Sequence, residues 1–257
     1  MRINQISDYF YRDVQPFFKG SFDDEFLSKL SSTAVTSLDF SSSNIQTAFI
    51  HRSFKNENSI ALDHNEKLEF LGDSVLQMYI SELLFMNFPN KREGELSKMR
   101  SALVNEDSLC LLALLCQLDR SILLGKGELK EKGFQKKSIL ADCFEAVLGA
   151  RYLDGGASAA YSYLDEVLAL FEQKSHRPFI SEALIDDYDA KSKLQELVMK
   201  KYKVHPEYLC DEVTQNDKKI FQIQLSIEGK IIDTTLWPSK KKGMQVLAKK
   251  VLAQNLI

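Results

Sequence analysis

Acidic residues interrupt an apolar helical pattern at two places far apart in this chain, and charge on an otherwise buried helix surface demands a compensating cation, which two such helices can share in one cluster. The first is Asn65-Glu66-Lys67-Leu68-Glu69-Phe70-Leu71-Gly72-Asp73, and the second is Ala141-Asp142-Cys143-Phe144-Glu145. At about 3.6 residues per turn, Glu66, Glu69 and Asp73 fall within roughly 60° of one another. Leu68, Leu71, Val75 and Met78 are then expected to face a core. Asp142 and Glu145, three apart, share a second helix face. A solvated helix face is the plain alternative, but Phe70, Leu71, Gly72, Val75 and Leu76 flank the first set, and Ile139, Leu140, Ala146 and Val147 the second. Like charges gathered against apolar surface repel unless a divalent cation neutralises them. A ligand set made only of oxygen favours magnesium, with manganese as a substitute. A carboxylate-bridged di-iron bundle would need Glu-x-x-His pairs, and the sequence has none.

The surrounding pattern divides the chain. Helical periodicity runs almost unbroken from Ile45 to Gln173, with a long helix from near Leu62 to Pro89 and another from an N-cap at Ser138 to a break at Gly155-Gly156. After a polar connection the period changes. A helix over 190–202 is followed by a strand over 208–213 and by Phe221, Ile223, Leu225 and Ile227 alternating with polar residues, the pattern of a half-exposed antiparallel strand. Glu228-Gly229 reads as a hairpin turn into Ile231–Leu236, and Ser239 opens a last helix. The expected architecture is an all-α domain followed by a small α+β domain of order α-β-β-β-α. Its expected parts are an N-terminal extension over 1–43, a helical domain over 44–173, a linker over 174–188 and the small domain over 189–257. The extension reads as short Phe-rich helices around Tyr9–Phe18 and Phe22–Leu30, then a loosely attached Ser/Thr-rich stretch, Ser31–Ser43.

Charge follows the same division. Residues 185–257 carry 13 Lys and Arg against 10 Asp and Glu, and the rest of the chain 20 against 26, so an acidic body is joined to a modestly basic module. The longest apolar run, Leu109–Cys116, is far short of the roughly 20 residues that cross a bilayer. The first residues show no signal-peptide pattern, and Cys110, Cys116, Cys143 and Cys210 form no CxxC pair. These features predict a cytoplasmic protein with reduced thiols and no membrane association. Lys240, Lys241 and Lys242 crowd the first turn of the last helix, where the helix dipole already places positive charge, an arrangement that an arriving anion such as phosphate would relieve.

Asn65–Leu76 resembles the signature of the ribonuclease III family, with Lys67 where that family commonly has Arg. Ala48–Phe54, Glu93–Arg100, Gly125–Glu128 and Ser138–Gly156 match further segments in the family's order, and residues 185–257 resemble a double-stranded RNA-binding domain. The resemblance implies a homodimeric endonuclease that cuts double-stranded RNA with divalent metal, in the processing of ribosomal and messenger RNA. By position, Glu69, Asp73, Asp142 and Glu145 become the metal ligands, with Asp73 and Glu145 also assigned to catalysis. Glu66 and Glu93 match acidic positions that the family places near the site. Gln195 and Glu196 match minor-groove contacts, alongside the three lysines. Gly72 reads as a close helix contact, with a dimer seam as one place for it, in preference to a weak link in the helix tolerated by packing.

The small domain also departs from the family. Thr214-Gln215-Asn216-Asp217 replaces Gly-Pro-x-His, Leu236-Trp237-Pro238 replaces a Gly-rich approach to the lysines, and Gly243 stands where Ala is common. These changes predict weaker RNA binding than is typical. The competing expectation for the whole chain is a catalytically silent RNA-binding or ribosome-assembly protein that keeps the fold.

Overall fold

The computed structural model describes residues 38–215 and 218–257, so the expected helices of the first thirty residues and the loop positions Asn216 and Asp217 lie outside the described residues. The chain divides into two compact units, the first ending at Phe179 and the second running from Ile180 to Ile257.

The first unit is helical throughout its described part: α1 (Ser43–Ala48), α2 (Arg52–Glu57), α3 (Glu66–Asn87), α4 (Glu93–Leu103), α5 (Glu106–Leu115), α6 (Lys126–Lys130) and α7 (Lys137–Ser175). Side chains with a free acceptor start several of them. Ser42 Oγ accepts from the N–H groups of Asn44 and Ile45, His51 caps α2, and Asn105 Oδ1 accepts from Ser108 N at 3.0 Å. Phe40 is buried against the Phe49 ring at 5.3 Å, so the last part of the Ser/Thr-rich stretch is packed onto the helices rather than loose.

α3 starts at Glu66, four residues later than periodicity suggests, because the Asn65 N–H is bonded to the Ile50 carbonyl at 2.9 Å in the segment leading in. It stops at Asn87, since Pro89 disfavours helical geometry at Phe88. α7 begins one residue before the expected cap, with Lys136 at the N-cap position. The expected break appears at Gly155 and Gly156, where Gly156 takes a left-handed φ of 69°, but the chain re-enters a helix at once and continues to Ser175.

α3 and α7 form the centre of this unit, and glycine sets how closely they cross. A Cβ on Gly72 would land on the Glu145 carbonyl, and a Cβ on Gly149 on the Leu68 carbonyl. The contact at Gly72 is therefore within the chain. Val75, Leu76, Tyr79 and Ile80 on α3 and Phe144, Val147 and Leu148 on α7 fill the core beside this crossing. Met78, expected to face a core, lies on the opposite side of α3 and is 63% exposed.

The second unit orders α8 (Glu182–Tyr202), β1 (Glu207–Gln215), β2 (Lys218–Ile227), β3 (Lys230–Trp237) and α9 (Lys240–Ala253). The sheet is antiparallel with β2 central, Tyr208 facing Leu225 and Leu225 facing Asp233. Glu228 and Gly229 both take positive φ, as a tight two-residue hairpin requires. Ile223, Leu225 and Ile227 point to one face and are covered by Ala190, Leu194 and Val198 of α8 and Leu247, Ala248 and Val251 of α9. The alternation along β2 thus separates a buried face from a polar one. Gly243 is dictated by Trp237: a Cβ there would meet the Trp237 Cβ and the tip of Ile223.

Candidate metal centre

The helix crossing brings the two acidic segments together. Carboxylate oxygens of Glu69, Asp142 and Glu145 all lie within 4.8 Å of one another, each side chain half-buried. Glu69 comes from the first turn of α3, Asp142 and Glu145 from the second and third turns of α7. The spacing of three puts Asp142 and Glu145 on the face that meets α3.

Electrostatics records the strain of this arrangement. Burial, then the charges of Asp73, Glu69 and Asp142, push the Glu145 carboxyl up to about 8 from an ordinary 4.5. Burial also raises Glu69, helped by Asp142, Glu66 and Asp73. Asp142 is raised by burial and then by Glu106, an acid at the start of α5. Three carboxyls held so close in partly desolvated surroundings resist ionisation until a cation joins them. The donors are all carboxylate oxygen, which suits a hard divalent ion.

Asp73, the fourth predicted ligand, lies one turn beyond Glu69 and faces Gln77, whose amide donates to both its carboxylate oxygens at 2.9 Å. It stands outside the three-acid group, although its charge reaches Glu69 and Glu145. Glu66 is exposed and meets Arg52 at 3.4 Å. Glu93 opens α4, where its carboxylate accepts from Ser97 Oγ at 3.0 Å, and it belongs to neither the three-acid group nor the cavity beside it. That polar cavity, of about 510 Å³, is lined by Glu69 and Asp142 together with Asn65, Arg52, Glu128 and Lys136, among others. His51 also lines it, and burial lowers its imidazole below the ordinary value.

Helix periodicity along one segment could not find Glu106, Glu128 or Lys136, because they reach the site from separate helices and loops. A parallel bridge between Ile50 and Leu123 ties the His51-Arg52 segment to the chain that leads into α6. That pairing has no sequence signal of its own.

Comparison with known proteins gives the family. Residues 42–170 match the Ribonuclease-III-like family, and residues 190–255 the double-stranded RNA binding motif. Ribonuclease 3 of Borreliella afzelii (strain PKo) is 43% identical over 221 residues, which is 85% of either chain. Ribonuclease 3 of Streptococcus thermophilus is 40% identical over 82% of this chain and 90% of its own length. The chain belongs to the ribonuclease III family. With a ribonuclease III nuclease domain joined to a double-stranded RNA-binding domain, it is an endoribonuclease of double-stranded RNA. A silent, purely RNA-binding role is not favoured.

In the RNA-binding domain, Lys240, Lys241 and Lys242 form the first turn of α9, which has no acidic residue and no side-chain cap. Lys240 Nζ lies 5.0 Å from the centre of the Phe221 ring. Gln195 and Glu196 sit on the exposed side of α8, with Gln195 Nε2 3.3 Å from His205 Nδ1. Among the described residues no helix is long and apolar enough to cross a membrane.

Proposed function

We propose that this ribonuclease III cleaves duplex RNA with magnesium held by Glu69, Asp73, Asp142 and Glu145, manganese being able to substitute, and that it works as a homodimer in the cytoplasm on ribosomal and messenger RNA precursors. The observation that carries the metal assignment is the set of three carboxylates within 4.8 Å, drawn from two helices. When bound, the metal supplies a water of lowered pKa and charge stabilisation at phosphorus. The chain's own part is to hold the acids in place through the glycine crossing and to orient Asp73 through Gln77. Glu66 and Glu93 act around the centre, Glu66 through its pair with Arg52. Gln195, Glu196 and the lysines of α9 engage the minor groove and the phosphates of the duplex.

Support for the homodimer comes from α3. Phe70, Met78 and Phe85 share one face and are 78%, 63% and 69% exposed, a patch of the kind that a protein partner covers. Support for the cytoplasm comes from four free cysteines, three of them buried.

The test is incubation of the protein with a long RNA duplex, in magnesium or in chelator, beside Glu145→Gln. The parent is expected to cut only with metal, and the variant to bind without cutting. Binding by the parent without cleavage under any divalent ion would overturn the assignment.

A further inference from the structure

The cavity beside the carboxylates contains a donor that the fold leaves unused. Asn65 stands at the N-cap position of α3, where an asparagine side chain ordinarily accepts from the first-turn N–H groups. Here its backbone is helical (φ −75°, ψ −11°) and its side chain makes no cap bond. The residue is 2% exposed, lines the cavity, and its Nδ2 has no hydrogen-bond partner. An amide buried in that state destabilises the fold, which suits a group kept for a ligand.

The other lining groups indicate which ligand. The charged pairs Arg52–Glu66 at 3.4 Å and Lys136–Glu128 at 2.5 Å balance one another, and the two acids left over on the wall, Glu69 and Asp142, belong to the proposed metal centre, whose cation would offset their charge. α7 enters the cavity without a side-chain cap, with Ser138 and Ile139 of its first turn on the wall, so the positive end of a long helix faces the same space as the Asn65 amide. Both favour an acceptor-rich anion. Glu69 and Asp142 share this wall, so the occupant adjoins whatever the acids cut. A duplex keeps its bases stacked inside and offers such a recess its sugar–phosphate backbone.

We propose that this cavity is the subsite for the phosphate next to the one being cut, with Asn65 Nδ2 and the N-terminus of α7 as its donors. It rests on the reading of the acids as the cutting centre, and Asn65 is then a substrate-binding residue that sets the register of the strand.

The experiment uses the full chain and a duplex cut at one known position. Each phosphate flanking that position is replaced in turn by an uncharged methylphosphonate beside a 2′-O-methyl ribose, and compared with the same ribose carrying an ordinary phosphate. Cleavage is followed in magnesium, and equilibrium binding in chelator, where the strand stays whole. One flanking replacement is expected to slow the parent about tenfold and to weaken its binding, and Asn65→Leu to do the same on the unmodified duplex. Together they should cost little more than either alone, because both remove one contact. Asn65→Leu should melt no lower than the parent, since it removes an unsatisfied amide. If no flanking phosphate matters to the parent, or if the two losses multiply, the proposal is overturned. It is also overturned if Asn65→Leu weakens manganese binding by calorimetry yet still discriminates the modified duplex. The scan on the parent stands even if the variant folds poorly. A parent that fails to cut the unmodified duplex with any divalent ion sinks the reading of the acids instead.

Discussion

Glu145 is the residue whose chemistry the fold alters most. Its carboxyl is raised from 4.5 to about 8 in the folded chain, first by burial and then by Asp73, Glu69 and Asp142. A raised folded value means that the native state holds this proton more tightly than the unfolded one. The resulting stability is complete below pH 4.5 and is lost as pH rises to about 8. Metal-free protein should therefore melt progressively lower across that window, and added manganese should stabilise it more as pH rises, since binding requires the carboxylates. In Glu145→Gln this part of the pH dependence should vanish and the manganese effect shrink. Melting curves in chelator and in manganese check it, and parallel profiles for parent and variant would contradict it. Spacing alone placed Glu66, Glu69 and Asp73 on one helix face and Asp142 and Glu145 on another. That Glu69 joins the α7 pair while Asp73 faces Gln77 was not legible, because it depends on which neighbours reach each carboxyl after packing.

At the scale of elements, the site exists because α3 and α7 approach closely enough for acids on both to converge within 4.8 Å. Gly72→Ala places a methyl group on the backbone of Glu145, which no side-chain rotation can relieve. The expected outcome is a loss of roughly 3 kcal/mol in denaturant unfolding, at the upper end of overpacking costs, with cleavage falling further than the folded fraction. The second unit holds a milder counterpart. Gly243→Ala meets the Trp237 Cβ and the flexible tip of Ile223, so a cost of about 1 kcal/mol is expected. Pairing it with Trp237→Gly should remove the Trp237 part of the clash and leave only the tip of Ile223 to give, to be seen as partial recovery of the unfolding midpoint after correction for the single Trp237→Gly change. Most elements of this unit were readable in advance, because β2 buries every second side chain and the hairpin turn needs two positive φ values. The α3 start was displaced from expectation because its N-terminal N–H is bonded outside the helix, to Ile50.

For the whole molecule, the exposed face of α3 carries the prediction. Met78→Glu with Phe85→Glu should convert a dimer into a monomer in light-scattering chromatography while leaving the helical circular dichroism signal unchanged. An unchanged mass would remove that face from the interface. Periodicity placed Met78 toward a core, and it is exposed, since apolar character along a helix does not by itself say what, if anything, covers it. By itself the sequence determined the helical body, the α-β-β-β-α module and the family, and it singled out the candidate acids, because each is written in local period, turn chemistry or motif order. Only the tertiary structure decided which carboxylates converge, that Gly72 meets Glu145 of the same chain, and that Asn65, Glu106, Glu128 and Lys136 surround the centre. Those facts arise from contacts between segments distant along the chain, and no local pattern encodes such a contact.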